Sequence, residues 1–229
     1  TVHIDLLNNG LIEDPFYRTN EKDLQWIDKK DWEYQCEFEV DEETMNRKEA
    51  ALVFHGLDTY AQVYLNEQLI LESDNMFRTW EVNCKDYLLP GKNTLRIVLL
   101  SPTRIGLEKL EANGFPLPAS NDQSENGDMG ENKVSIFTRK AGYHYGWDWG
   151  PRLVTSGIWR PVELQAWNHA KITDIAVDQH KVTAESASVT AVVELEAHKA
   201  SSVEVSLNIE KVFSKTKTFE LKPGINQLL

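Results

Sequence analysis

The 229 residues suffice for one large domain or two smaller ones, each able to bury its own core, and two cysteines make no demand on the redox compartment. A net charge of −12, from 36 acidic against 24 basic residues spread without long runs, argues against nucleic acid and anionic membrane as partners, because both reward a basic face. No stretch approaches the ~20 apolar residues that span a bilayer, and the opening Thr1-Val2-His3-Ile4-Asp5-Leu6-Leu7 reads as folded interior sequence rather than a basic segment leading an apolar one.

In chain order, period-two alternation begins at Trp32. Tyr34, Cys36, Phe38 and Val40 point one way and Gln35, Glu37 and Glu39 the other, which predicts a half-buried strand. Further short strands are expected at Ala51–Phe54, Tyr60–Leu65, Arg78–Val82 and Asn93–Leu100, with turns at Asn66-Glu67, Ser73-Asp74-Asn75 and Leu89–Asn93. Thr103–Ala112, closed by Asn113-Gly114, is the one helix predicted. Phe115–Asn132 is too long and too polar for a tight connection, and loops of that kind in ordered domains carry function or disorder.

Order resumes at Val134–Phe137, and alternation returns at Val162, Leu164 and Ala166. A domain boundary is expected at Asn168–Lys171, dividing the chain into 1–168 and 169–229. Beyond it, Ile172–Val177, Ser188–Ala197, Val203–Ile209 and Thr216–Leu221 form a second rhythm of strands, aromatic-poor and suited to an immunoglobulin-like sandwich that is incomplete by strand count. The fold class is therefore all-β, an antiparallel sandwich or jelly roll followed by a partial immunoglobulin-like sandwich. Strands never alternate with long helical patterns, so a parallel α/β or (β/α)8 domain is not encoded here. Cys36 and Cys84 have no second Cys or His at metal-ligand spacing; they leave a disulfide open, and no metal or other cofactor is expected.

Four of the seven Trp fall between 147 and 167. The run Arg139-Lys140-Ala141-Gly142-Tyr143-His144-Tyr145-Gly146-Trp147-Asp148-Trp149-Gly150-Pro151-Arg152 holds what a sugar site needs: aromatic faces for the C–H side of a pyranose and a carboxylate for neighbouring hydroxyls. Gly146, Gly150 and Pro151 permit a tight loop that presents Asp148. On spacing alone the opposite reading stands beside it, with Trp147 and Trp149 in the core and Asp148 capping a turn.

Gly146–Pro151, followed by Thr155-Ser156-Gly157-Ile158-Trp159-Arg160-Pro161-Val162, closely resembles the first domain of the β-mannosidases of glycoside hydrolase family 2. Asp14-Pro15-Phe16 with Asn20-Glu21 and Gln25-Trp26-Ile27, then Phe54–Thr59, then Val63–Asn66 carry the same resemblance in the same order, over residues 2 to 167. It implies a jelly-roll, galactose-binding-like sugar-binding domain at 1–168, its first strand or strands preceding Thr1, and part of an immunoglobulin-like sandwich at 169–229. In such enzymes a (β/α)8 domain supplies two glutamates ~5–5.5 Å apart for retaining hydrolysis of terminal β-D-mannose. No position here matches either glutamate, so no catalytic residue is expected and the chain alone is expected to be inactive.

The resemblance assigns substrate binding to Asp148, with Trp147 as its companion at the sugar and Trp149 in a structural, supporting place; Arg139 and Lys140 either orient Asp148 by a charge-assisted hydrogen bond or are solvated surface, the first being preferred for Arg139. His144 is taken as a hydrogen-bonded strand residue and Asp58 as a turn or strand-end carboxylate with local bonds. Asn20-Glu21 and Asn66-Glu67 look like the Asn-Glu pair around a glycosidase acid/base, but one lies in a polar loop and the other in a hairpin turn. The implied partners are a β-mannoside or manno-oligosaccharide and the chain's own catalytic domain, in a periplasmic, secreted or lysosomal setting by family analogy. A stand-alone carbohydrate-binding module and a purely structural bracing domain are the alternatives.

Overall fold

The first element departs from the sequence expectation. In the computed structural model, which describes residues 1–119, 122–147, 149–210 and 212–229, Val2–Asn8 is a helix (α1), so Thr103–Ala112 is not alone. The opening segment is interior sequence, as expected, and what packs is the pair one helical turn apart, Val2 with Leu6, against Leu24, Ile27, Trp32 and Tyr34. Val2 N donates to Ser156 O at 2.9 Å, and Tyr34 Oη to Asp5 Oδ2 at 2.6 Å. Two one-turn helices were also not foreseen: α2 (Asn20–Asp23) and α3 (Glu42–Met45), the latter capped by the Asp41 carboxylate accepting from Thr44 N.

Strands β1 (Trp32–Val40), β2 (Glu49–Phe54), β3 (Leu57–Asp58), β4 (Tyr60–Leu65), β5 (Gln68–Asp74), β6 (Trp80–Asn83) and β7 (Gly91–Leu100) follow the predicted rhythm, with β3 and β5 added to it. One sheet runs β1-β7-β4-β5, all antiparallel, with Trp32 opposite Leu99 and Tyr60 opposite Leu100. Asn66 and Glu67 both take positive φ, 48° and 65°, the conformation that closes a two-residue hairpin between twisted strands. The Asn66 amide is spent on Tyr87 O and Asn93 Oδ1, each at 2.8 Å, so this Asn-Glu pair is a turn device.

After β7, Ser101 caps α4 (Pro102–Asn113) by accepting from Arg104 N, and Gly114 ends it at φ 79°. Gly106 lets α4 approach Val134, to which an added Cβ would come within 2.7 Å. The chain then crosses the long polar stretch and two single turns of 3-10 helix, Ser135–Phe137 and Gly142–His144, before β8 (Gly157–Ile158) and β9 (Val162–Trp167). β9 completes the second sheet, β6-β2-β9, while β8 pairs with β3. The core of this all-β sandwich is Phe54, Leu57, Val63, Leu65, Ile97 and Leu99, all essentially inaccessible to solvent. It belongs to a unit comprising Thr1–Asn46 and Ala50–Gln165.

Gly56, between β2 and β3, accepts from Trp159 N through its carbonyl and lies so close to the indole that an added Cβ would sit 2.5 Å from Nε1. Gly56→Ala is expected to destabilise the sandwich by about 1–3 kcal/mol through overpacking alone, since the ring it would strike is also covered by the Arg160 guanidinium, 4.2 Å from the ring centroid. A thermal melt of the variant unchanged from wild type would show that the ring moves aside freely.

The second unit, Arg47–Glu49 with Ala166–Leu229, is built from β10 (Ala170–Val182), β11 (Ala187–Ala197), β12 (Ser201–Ile209), β13 (Phe213–Leu221) and β14 (Gly224–Leu228). β14 is a fifth strand beyond the four expected. Its Ile225-Asn226-Gln227-Leu228 is too short to declare a period, and it is specified by pairing with β11, Val193 opposite Leu228. β10-β11-β14 form one sheet and β12-β13 another, over a small core of Leu195, Ala197, Leu221 and Leu228. Cys36 is exposed and Cys84 buried, and both are free thiols.

Candidate functional site

The aromatic run is a loop whose legs are tied down at successive levels. At the entry, Met76 N donates to Arg139 O at 3.0 Å and Ala141 N approaches Met76 Sδ at 3.1 Å, so the backbone rather than the side chain of Arg139 holds the strand edge; the guanidinium is exposed. Lys140 is the reverse. Its side chain is fully buried, donates to Asp58 Oδ2 in β3, and reaches Thr155 O at 2.6 Å. Asp58, at the end of β3, makes the local bond expected of it by accepting from Thr59 Oγ1, and adds this partner 82 residues away; Lys140, expected either to orient Asp148 or to lie on solvated surface, is instead buried against Asp58.

One level further, Tyr145 and Arg152 form an antiparallel bridge, both fully buried. Arg152 Nη2 pairs with Asp28 Oδ2 at 2.8 Å and Nη1 donates to Gln25 Oε1 at 2.7 Å, while Gln25 Nε2 returns a bond to Arg152 O at 2.8 Å. Asp28 is completed by Thr103 Oγ1 in the first turn of α4. Gly146 takes φ 89° directly over the Gln123 side chain, with room for no Cβ, and Gln123 N donates to Tyr145 O at 2.9 Å. The long polar segment thus packs under the loop.

At the tip, Trp147 N donates to Gly150 O at 3.1 Å and Gly150 N to Trp147 O at 3.4 Å, so these two residues close the loop's end against each other. Trp147 is 42% exposed and Trp149 85%. Alternation assigns only one of the two indoles outward; both are exposed, so Trp149 does not pack into this unit as expected. Asp148, the carboxylate assigned to substrate, lies outside the described residues. Tyr143, also exposed, meets the His144 ring edge-on at 4.7 Å.

Between the ion pairs lie two histidines with buried Nδ1 atoms that have no hydrogen-bond partner among the described residues, His3 of α1 and His144. Burial lowers His3 to about 4, with Asp28 opposing and Lys140 reinforcing the shift. His144, its Nδ1 3.9 Å from Asp58 Oδ2, is lowered to about 4 by burial and then by Lys140. It is a neutral histidine in a 3-10 turn rather than a bonded strand residue. Burial also pulls the Lys140 ammonium below its ordinary range, against the attraction of Asp58. Two buried ion pairs, Asp28–Arg152 and Asp58–Lys140, and two neutral histidines, His3 and His144, therefore make one buried polar layer under the exposed aromatic tip. No group of His, Cys, Asp and Glu among the described residues is arranged to hold a metal ion, and no helix among them is long and apolar enough to cross a membrane.

An all-β sandwich presenting an aromatic, glycine-bounded loop is the arrangement of a known class. Residues 1–160 match the glycosyl hydrolase 2 galactose-binding domain-like family, and the chain belongs to it. It is 35% identical over 226 residues to β-mannosidase B of Thermothelomyces thermophilus, covering 97% of this chain and 25% of that protein. Against β-mannosidase B of Emericella nidulans it is 39% identical over 203 residues, 85% of this chain and 22% of that one. Among solved structures it is similar to the β-D-mannosidase of Dictyoglomus thermophilum, with a TM-score of 0.85 and 39% identity over 99% of this chain and 27% of that one. The chain thus spans about a quarter of the length of the relatives it matches.

Proposed function

We propose that this chain is the non-catalytic N-terminal region of a retaining β-mannosidase, and that its Trp147–Gly150 tip completes the subsite for the terminal non-reducing mannose. The observation that carries the reading is the tip itself: a loop end closed by reciprocal backbone bonds, with two exposed indoles flanking position 148. Trp147 offers a stacking face, the Asp148 carboxylate accepts from sugar hydroxyls, Arg139 orients that carboxylate, and Trp149 shields the loop's end. The catalytic glutamates belong to a barrel outside this sequence, which also reads the axial 2-hydroxyl; the tip contacts the far side of the ring. Similarity to two β-mannosidases B and to a structurally solved β-D-mannosidase supports the substrate class.

The test is Asp148→Ala in the parent enzyme, assayed on a chromogenic aryl β-mannoside. Losing a charge-assisted hydrogen bond of about 1.5–3 kcal/mol lowers kcat/KM by roughly 10- to 150-fold, with the melting temperature unchanged. A variant with intact kcat/KM and a lowered melting temperature would instead assign the loop to bracing between domains.

A further inference from the structure

We infer that the buried pairs Lys140–Asp58 and Arg152–Asp28 are positioning devices that hold the aromatic tip in place, each anchoring one leg of the loop to a different part of the sandwich. This rests on the reading of the tip as a sugar contact. Lys140 stands before the tip and Arg152 after it; the first grips β3, the second the segment before β1 and the start of α4. Lys140 also ties the loop's entry to its exit through Thr155 O, 15 residues on. Such pairs are an expensive way to fill an interior, because desolvating both charges offsets most of their attraction, and apolar residues of equal volume often serve stability as well or better. Two of them, one on each leg of one loop and nowhere else among the described fully buried side chains, are accounted for by direction rather than by stability. A bonded charge pair accepts one geometry, whereas an apolar contact tolerates sliding.

His3 joins the two anchors. Asp28 and Lys140 are both within electrostatic reach of it, and α1, which carries it, bonds through Val2 N to Ser156 O at the loop's exit. The tip therefore hangs from one contiguous layer instead of two independent contacts.

Lys140→Met alone would strand the Asp58 carboxylate in the core, and a failure to fold would be uninformative. The decisive variant is Lys140→Met with Asp58→Asn, which leaves no unpaired charge. Amide exchange on this variant is expected to accelerate about tenfold or more over residues 141–154, while the β1–β7 ladder keeps its protection. In the parent enzyme, kcat/KM on the aryl β-mannoside falls about ten- to hundredfold, mostly through KM, because a contact made in the ground state is displaced. Unchanged exchange in the loop, or acceleration spread evenly over the whole sandwich, would overturn the inference. So would intact kcat/KM in this variant alongside a loss in Asp148→Ala. If Asp148→Ala is itself silent, the sugar-contact reading fails, and loop-confined acceleration still sustains the anchors.

Discussion

Arg152→Met is expected to lower the stability of the sandwich by about 3–5 kcal/mol, the usual effect of removing one partner from a buried ion pair. Arg152 is 1% exposed, and its loss leaves the Asp28 carboxylate with Thr103 as its side-chain donor and Gln25 Oε1 without a donor. At about 2–4 °C per kcal/mol for a protein of this size, the melting temperature falls by roughly 6–20 °C. Adding Asp28→Asn should recover a large part of that loss, since the neutral amide is cheaper to bury. Urea titrations of both variants decide it: a single variant within 1 kcal/mol of wild type, or a double variant worse than the single, would mean that water or a rearranged side chain neutralises Asp28.

The second large effect is acid sensitivity above the carboxylate range. His3 and His144 are lowered to about 4 in the folded chain against about 6.5 unfolded, so between those values the unfolded state binds more protons. The sign follows: the neutral histidines are tolerated above pH 6.5, and stability declines as pH falls from there toward 4. Each contributes a loss of about 2–3 kcal/mol by pH 4.5. Lys140, facing both rings, pushes in the same direction, and Asp28 and Asp58 oppose it. Asp122, whose carboxyl is raised by burial, works the other way, becoming easier to bury as it protonates. Denaturation midpoints at pH 7, 5.5 and 4.5 should drop steadily, and His144→Asn should flatten the slope. A flat wild-type profile down to pH 4.5 would show that the rings are solvated.

What was legible in the sequence was local. Tyr60–Leu65 and the Gly91–Leu100 strand follow from alternation because one face of each is buried, and α4 follows from its serine cap and terminal glycine. The Asn66-Glu67 hairpin follows from its turn chemistry. α1 escaped because seven residues carry too little period to separate a helix from a strand, and its conformation is set by packing against Ile27 and Trp32. The aromatic tip and its glycines were visible as a motif, and family membership bears out the resemblance drawn from it. The anchors were not. Lys140 and Asp58, or Arg152 and Asp28, stand 82 and 124 residues apart, and no spacing rule links charges that meet only after two sheets have closed. In the sequence Lys140 is only a cation preceding the aromatic cluster, open to pairing with Asp148 or to solvent.

The second unit's strands carry Ile172, Ile175 and Val177 on β10 and Ile225 on β14, all more than half exposed, at the two edges of their sheet. Open, greasy borders of this kind invite a neighbour to add a strand. Working against that is the surplus of acidic residues, a repulsion of long range that salt weakens and acid removes. Purified on its own, the chain is therefore best kept dilute, near neutral pH and at low ionic strength; raising salt or approaching its isoelectric point near 5.0 trades away the charge that keeps those borders apart.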